Sequence, residues 1–145
     1  MPEVEYAFLA DAADVQAGSK FHVLGGGVTR VTGPSLPFVH PHLALVVGLR
    51  MGSAERKREH ELGFIVTAPD GAEVATAVGR VVSHGPGESS DVVLTIAIDL
   101  WNMTLKTAGE YAVRITINGS ERKRLPLVVS VARELAAPEQ QRYLA

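Results

Sequence analysis

The chain has 145 residues, a formal charge of −2 and no cysteine. Its 46% hydrophobic and 21% charged content fits one soluble globular domain and excludes wholesale disorder, collagen and coiled coils. The missing thiols remove disulfides, cysteine nucleophiles, iron–sulfur clusters and cysteine zinc sites, and the small net charge supplies no global field for nucleic acid or acidic membranes.

Residues 4–10 (VEYAFLA) predict a first strand. Asp11 is placed to cap a single helical turn and Gly18 to end it. Residues 20–31 (KFHVLGGGVTRV) predict a long strand bent at its three glycines, and Pro34 and Pro37 mark a loop. Residues 43–51 (LALVVGLRM) form a continuous apolar run, which predicts a strand covered on both faces. A turn over 52–57 leads to a strand over 58–68. Pro69, Asp70 and Gly71 then supply turn chemistry, and the alternating residues 73–82 pair back as a hairpin.

Residues 84–90 predict a loop, 91–100 (DVVLTIAIDL) a strand and 101–108 a connection. In residues 110–118 (EYAVRITIN), Tyr111, Val113, Ile115 and Ile117 share one face with period 2. Asn118-Gly119 is a type I′ hairpin signal, because that turn needs positive φ twice. Residues 124–132 return as a strand, with Pro126 at an edge or at the strand's start, and 133–145 make a short helix or a loose tail. About eight strands spaced by turn signals predict an all-β, antiparallel Ig-like β-sandwich over residues 1–132, with 133–145 as a tail. Gly109 and Tyr111 at the head of a central strand resemble the tyrosine corner of such sandwiches.

Candidate chemistry is sparse. Gly25, Gly26 and Gly27 lack the Lys-Ser/Thr and the following helix of a phosphate loop, so a strand bend accounts for them better. His40 and His42 are the one close histidine pair; on an extended segment both rings would meet one zinc ion, with a third ligand from His22, His60 or a carboxylate. Asp11 with Asp14, or Asp91 with Asp99, fall short of the six to eight oxygens that calcium wants. No serine elbow and no nucleophile–base set emerges, so no cofactor is expected, and a hydrolase with a site assembled only by the fold ranks as the third reading. Asn118-Gly-Ser120 matches a glycosylation sequon but reads as hairpin chemistry.

One tetrapeptide recurs. Glu55-Arg56-Lys57-Arg58 returns as Glu121-Arg122-Lys123-Arg124, each copy after a strand and a Gly/Ser turn. If the two copies lie at one end of the sandwich, Arg56, Lys57, Arg58, Arg122, Lys123 and Arg124 form a patch for a polyanion or an acidic partner. The expected arrangement is opposite ends, where each run is a solvated shoulder that protects a strand from edge-to-edge pairing.

The opening Phe8, Leu9, Ala10, Asp11, Ala12 and Ala13, followed by Gly18, Lys20, Leu24, Gly25 and Gly26, resembles that of an uncharacterised family of small bacterial proteins. There a strand ending in a Leu-x-Asp-Ala step is followed by Gly-Lys and a Leu-Gly-Gly step. The hairpin from Gly109 through Tyr111 to Asn118 and Gly119 is similar to that family's closing strand pair. Ala10 stands where the family often has a cysteine. The resemblance spans roughly residues 4–131 and implies a β-sandwich of unknown function with no established site residues.

The functional expectation is therefore a non-enzymatic protein-interaction module, homodimeric through open sandwich edges. Small-ligand or metal binding around Gly25–Gly27 and His40–His42 is the alternative. Acidic residues follow Met1 where an export signal wants positive charge, and no run nears the ~20 apolar residues of a membrane helix, so the expected address is the cytoplasm, with no membrane partner.

Overall fold

The clearest alternation in the sequence produces the clearest strand. Tyr111, Val113, Ile115 and Ile117 are at most 1% exposed, while the residues between them face outward and are half-buried. In the computed structural model, which describes residues 1–16, 20–83 and 91–132, this strand belongs to an all-β architecture without a helix among the described residues. Nine strands occur among the described residues, rather than about eight: β1 (Glu3–Val15), β2 (Phe21–Gly26), β3 (Arg30–Gly33), β4 (Phe38–Met51), β5 (His60–Thr67), β6 (Glu73–Val81), β7 (Val92–Leu105), β8 (Gly109–Ile117) and β9 (Ser120–Val131).

They form two sheets. One has four strands in the order β2-β1-β4-β7; the other has five, in the order β3-β9-β8-β5-β6. Every pairing is antiparallel except β3 with β9, which is parallel. The added strand comes from the glycine run. Residues 20–31 are not one bent strand: β2 pairs with β1 in the first sheet, and β3 pairs with β9 in the second. Gly27 and Val28 both donate their backbone N–H to the Leu9 carbonyl at 2.9 Å, which fixes the crossing between the sheets.

Other boundaries differ too: β4 starts at Phe38 rather than at residue 43, and β9 at Ser120 rather than at residue 124. Asp11 starts no helical turn, because β1 continues to Val15, where β2 supplies backbone partners from Ala10 to Val15. Residues 101–105 are no connection either, since β7 runs on to Leu105, opposite Phe38 of β4. The loop expected at 84–90, Gly18, and the tail from 133 lie outside the described residues.

The turns follow their chemistry. Asn118 and Gly119 have φ of 51° and 82°, as a type I′ hairpin requires. Gly71 donates to the Ala68 carbonyl and the Asp70 carboxylate accepts from the Ala72 N–H, closing the β5–β6 hairpin. Pro126 lies opposite Ala112 of β8, in the part of β9 before β3 begins to pair with it, so its missing donor breaks no ladder. The Tyr111 hydroxyl donates to the Thr107 carbonyl at 2.8 Å, tying down the passage from β7 to β8.

The core lies between the sheets. Leu45, Val47 and Leu49 of β4 face Phe64, Val66, Val113 and Ile115 across a continuous apolar cluster. β4 is also covered outside: Leu43 through Val47 and Leu49 are fully buried. The cover is aromatic. Tyr6 packs on Gly48, where a Cβ would overlap its ring, and its hydroxyl bonds Thr95 of β7. Phe21 stacks on Tyr6 and meets Phe8 at a tilt, with centroids 5.9 and 6.5 Å apart. Phe21 pairs in register with Val15, seven residues or ~23 Å along an extended strand from Phe8. The β1–β2 hairpin must therefore curl back over the outer face of its own sheet.

Candidate functional site

Where β1 begins this curl, three strands meet at one histidine. β4 carries His42 directly opposite Trp101 of β7, so the two side chains share the outer face, and their rings meet at a 35° tilt with centroids 4.1 Å apart. Asp99 lies two residues before Trp101 on the same face, and its carboxylate oxygen is 2.7 Å from His42 Nε2. On the other side, His42 Nδ1 donates to the Asp11 backbone carbonyl at 2.8 Å. Both ring nitrogens are held, one from β1 and one from β7, and the imidazole has little freedom to rotate.

Against this fixed ring stands an exposed indole. Trp101 is the only tryptophan of the chain and is 66% exposed, although it is the largest apolar side chain available for burial. The next residue, Asn102, has φ of 51°, a conformation that asparagine tolerates better than most residues and that interrupts regular pleating. Beyond it Met103 and Leu105 are buried. Trp101 is thus the last outward residue before the strand turns its apolar side chains inward.

The sites expected from the sequence separate under this geometry. Gly25 and His42 do come together, but around Asp11. A Cβ at Gly25, which has φ of 60°, would overlap the Asp11 carboxylate, so the glycine makes room for the protein's own side chain. With the Gly27 amide spent on Leu9, the glycine run presents no phosphate cradle. His40 and His42 lie within β4 and not in a loop; His40 is opposite Met103 while His42 serves Asp11 and Asp99. His22 pairs in register with Asp14, and His60 bonds the Glu55 carbonyl at 2.8 Å. Among the described residues no group of three or more His, Cys, Asp or Glu gathers to hold a metal. Asp91 and Asp99 lie far apart along the same stretch of chain, the first 3.6 Å from Arg50 and the second against His42.

The two Glu-Arg-Lys-Arg runs lie at the same end of the molecule, not at opposite ends. Leu62 pairs with Ile117, which brings the start of β5 to the β8–β9 hairpin, and Asn118 exchanges hydrogen bonds with Glu61 at 2.8 and 2.9 Å. The two copies nevertheless fold differently. In the first, a turn, Lys57 has φ of 67° and Arg56 is 6% exposed. The Glu55 carboxyl is held below the usual range by the Met1 amino group at 2.5 Å and by the Gly52 N–H. In the second, a strand, Arg124 lies opposite Arg114, and Glu121 bridges them at 3.2 and 2.5 Å. These two guanidiniums keep the Glu121 carboxyl below its ordinary range. Of the six cations, Lys57, Arg58, Arg122 and Lys123 are exposed and make no carboxylate bridge of this kind among the described residues, and Arg122 touches the Met1 sulfur.

The sequence singles out Asp99 only as a calcium candidate beside Asp91, and does not single out Trp101 at all. Their only signal was the spacing of Trp101, Met103 and Leu105 by two, which continues a strand.

Comparison with known proteins adds a family. A family model described as a family of unknown function (DUF6941) matches residues 5–130. No curated protein matches the sequence. A solved structure, Pseudomonas fluorescens alkylpurine DNA glycosylase AlkC bound to DNA containing an abasic site analog, aligns with a TM-score of 0.43 and 12% identity; the match covers 70% of this chain and 28% of that one.

Proposed function

The chain belongs to DUF6941, a family of unknown function, and we propose that it is a non-enzymatic recognition module that docks a protein partner on the outer face of the four-stranded sheet around Trp101. One observation carries the reading: an exposed tryptophan packed at a tilt against a histidine that is itself anchored at both nitrogens. Tryptophan is a typical hot-spot residue, and the anchored His42 gives one face of the indole a fixed support, which lowers the entropy lost on binding. Asp99, with a half-exposed side chain beside the indole, favours a partner with an apolar pocket and a basic rim.

We further propose that the two sheets form an Ig-like sandwich, a reading supported by the Tyr111 hydroxyl on the Thr107 carbonyl. A cytoplasmic address belongs to the same proposal. No helix among the described residues is long and apolar enough to cross a membrane.

The test is capture from lysate of the source cells with wild type, Trp101→Ala and His42→Ala. Trp101→Ala should leave the unfolding free energy within ~0.5 kcal/mol of wild type, as an exposed site does, and should weaken capture by ~30-fold or more. The wild-type indole emission should shift to the blue when the captured partner is added back. Equal capture by wild type and Trp101→Ala would overturn the proposal.

A further inference from the structure

The sheet order leaves β2, β7, β3 and β6 as edges, and three of them are blunted. β3 has 4 residues; β2 has 6 and ends in two glycines; β6 carries Glu73, Gly79 and Arg80. Short strands, glycines and charges are the usual devices against edge-to-edge pairing. β7 has none of them where it matters. It is 14 residues long, and from Val92 to Ile98 (VVLTIAI) it holds no charge, no proline and no glycine. Only β4 pairs with it, so the backbone groups on its other side are open among the described residues.

The side chains tell the same story. Val92, Val93, Leu94, Ile96, Ala97 and Ile98 are all only half-buried, although alternate residues point into the sandwich. The inward pair Ile96 and Ile98 lines a cleft of about 300 Å³ with Leu62, Phe64, Ala77 and Val81, because the inner face of β6 offers only small residues at positions 75, 77 and 79. The open side of the sandwich is thus a strand edge backed by an apolar cleft.

We propose that β7 pairs antiparallel with β7 of a second copy of this chain, joining two four-stranded sheets into one of eight strands. Unpaired N–H and C=O groups call for an extended strand, and the uncharged flank calls for an apolar one. A second copy offers both, and a two-fold axis makes the seam self-complementary. Asp91 and Asp99 bracket the apolar stretch four residues either side of Thr95. An axis at Thr95 would oppose them directly, so the register is offset from it. Seven paired residues span ~23 Å, and two layers with their side chains are ~20 Å deep, which gives about 1,000 Å² in total. That is the lower bound for a specific interface, and it fits a dimer that dissociates in the micromolar range.

The experiment is sedimentation of the full chain between 1 and 200 µM, with hydrogen exchange of residues 92–98 measured at both limits. Concentration-dependent dimerisation is expected, with backbone protection in 92–98 rising with it. Val93→Glu, which puts a charge on the edge beside Arg50, should weaken the dimer at least tenfold with an unchanged circular dichroism spectrum. Ala97→Lys should do the same from a second position. A monomer at every concentration overturns the proposal. So does a dimer whose protection maps elsewhere or survives both substitutions, and so does a monomeric chain whose β7 takes up a strand from a foreign protein.

Discussion

The five-stranded sheet has one wet face; the four-stranded sheet has two dry ones at its centre. β8 alternates buried and half-exposed residues throughout, and the outward Arg114 and Thr116 meet solvent. β4 buries every residue from Leu43 to Leu49. The difference lies in what covers the outer surface. Nothing among the described residues lies over β8, whereas Tyr6, Phe8 and Phe21 roof β4 where the β1–β2 hairpin curls back. The four-stranded sheet therefore has two jobs: its inner face completes the core, and its outer face builds the ground on which His42 and Trp101 stand.

A single added methyl group tests this contrast. On both sheets a glycine sits under a neighbour's side chain. At Gly48 the added Cβ would overlap the Tyr6 ring, which is pinned by its bond to Thr95 and by Phe21. Gly48→Ala should cost ~1–3 kcal/mol, the usual range for overpacking. At Gly63 the Cβ would meet Thr116 Oγ1 at 2.7 Å and Val78 at 3.0 Å, but Val78 is 63% exposed and both can turn toward water. Gly63→Ala should stay below ~1 kcal/mol, helped by the lower entropy of the unfolded chain. Urea denaturation of both variants measures the difference, and equal costs would mean that the roof is not rigid.

The same contrast explains what could be read in advance. The five-stranded sheet was legible because its strands repeat with period 2 and its turns carry specific residues: Tyr111 to Ile117 inward, Asn118-Gly119 at φ above zero. The continuous apolar run of β4 correctly pointed to cover on both faces. The four-stranded sheet was less legible at its ends. Residues 10–15 (ADAADV) have poor strand propensity and are held extended by pairing with β2, a tertiary effect that outweighs local preference. Asn102 breaks the pattern that would have carried β7 through Trp101. The candidate site joins Asp11 and Asp99 to His42, from which they are 31 and 57 residues away, so no spacing announces it. The repeated Glu-Arg-Lys-Arg makes the point most directly, since one tetrapeptide is a turn beside His60 and the other a strand beside Arg114.

Where the chain passes from one sheet to the other, after β7, the link depends on one hydroxyl. Tyr111 is 1% exposed, and its oxygen donates to the Thr107 carbonyl while the Thr107 N–H approaches it at 3.4 Å. Tyr111→Phe keeps the ring and removes these two contacts and a third, with Thr107 Oγ1 at 3.3 Å, which should cost ~1–2 kcal/mol. A near-neutral result in chemical denaturation would make Tyr111 mere packing and would withdraw the main support for the Ig-like reading.

The smallest expected effect separates the sheets by their surface charges. On the four-stranded sheet Arg50 grips Glu5 with two hydrogen bonds, 2.6 and 2.8 Å, and the hydrogen-bonded guanidinium holds the Glu5 carboxyl below the usual range. On the five-stranded sheet Glu121 stands between Arg114 and Arg124; its carboxyl shift has the same direction and, first of all, the Arg114 hydrogen bond as its cause. Both folded-state values are lowered, so both contributions are present above the unfolded glutamate pKa of ~4.3 and are lost as pH falls through the folded value. Glu5→Gln and Glu121→Gln should therefore differ from wild type at neutral pH and converge with it in acid. The two variants should not be equal. Without Glu5, Arg50 still has Asp91 at 3.6 Å. Without Glu121, Arg114 and Arg124 face each other directly across β8 and β9, a like-charge pair that destabilises a sheet. Glu121→Gln should lower the urea midpoint more than Glu5→Gln at pH 7, and added salt should shrink that gap because both arginines are exposed enough to be screened. A gap that persists at pH 2, or that grows with salt, would show that Glu121 acts through packing rather than charge.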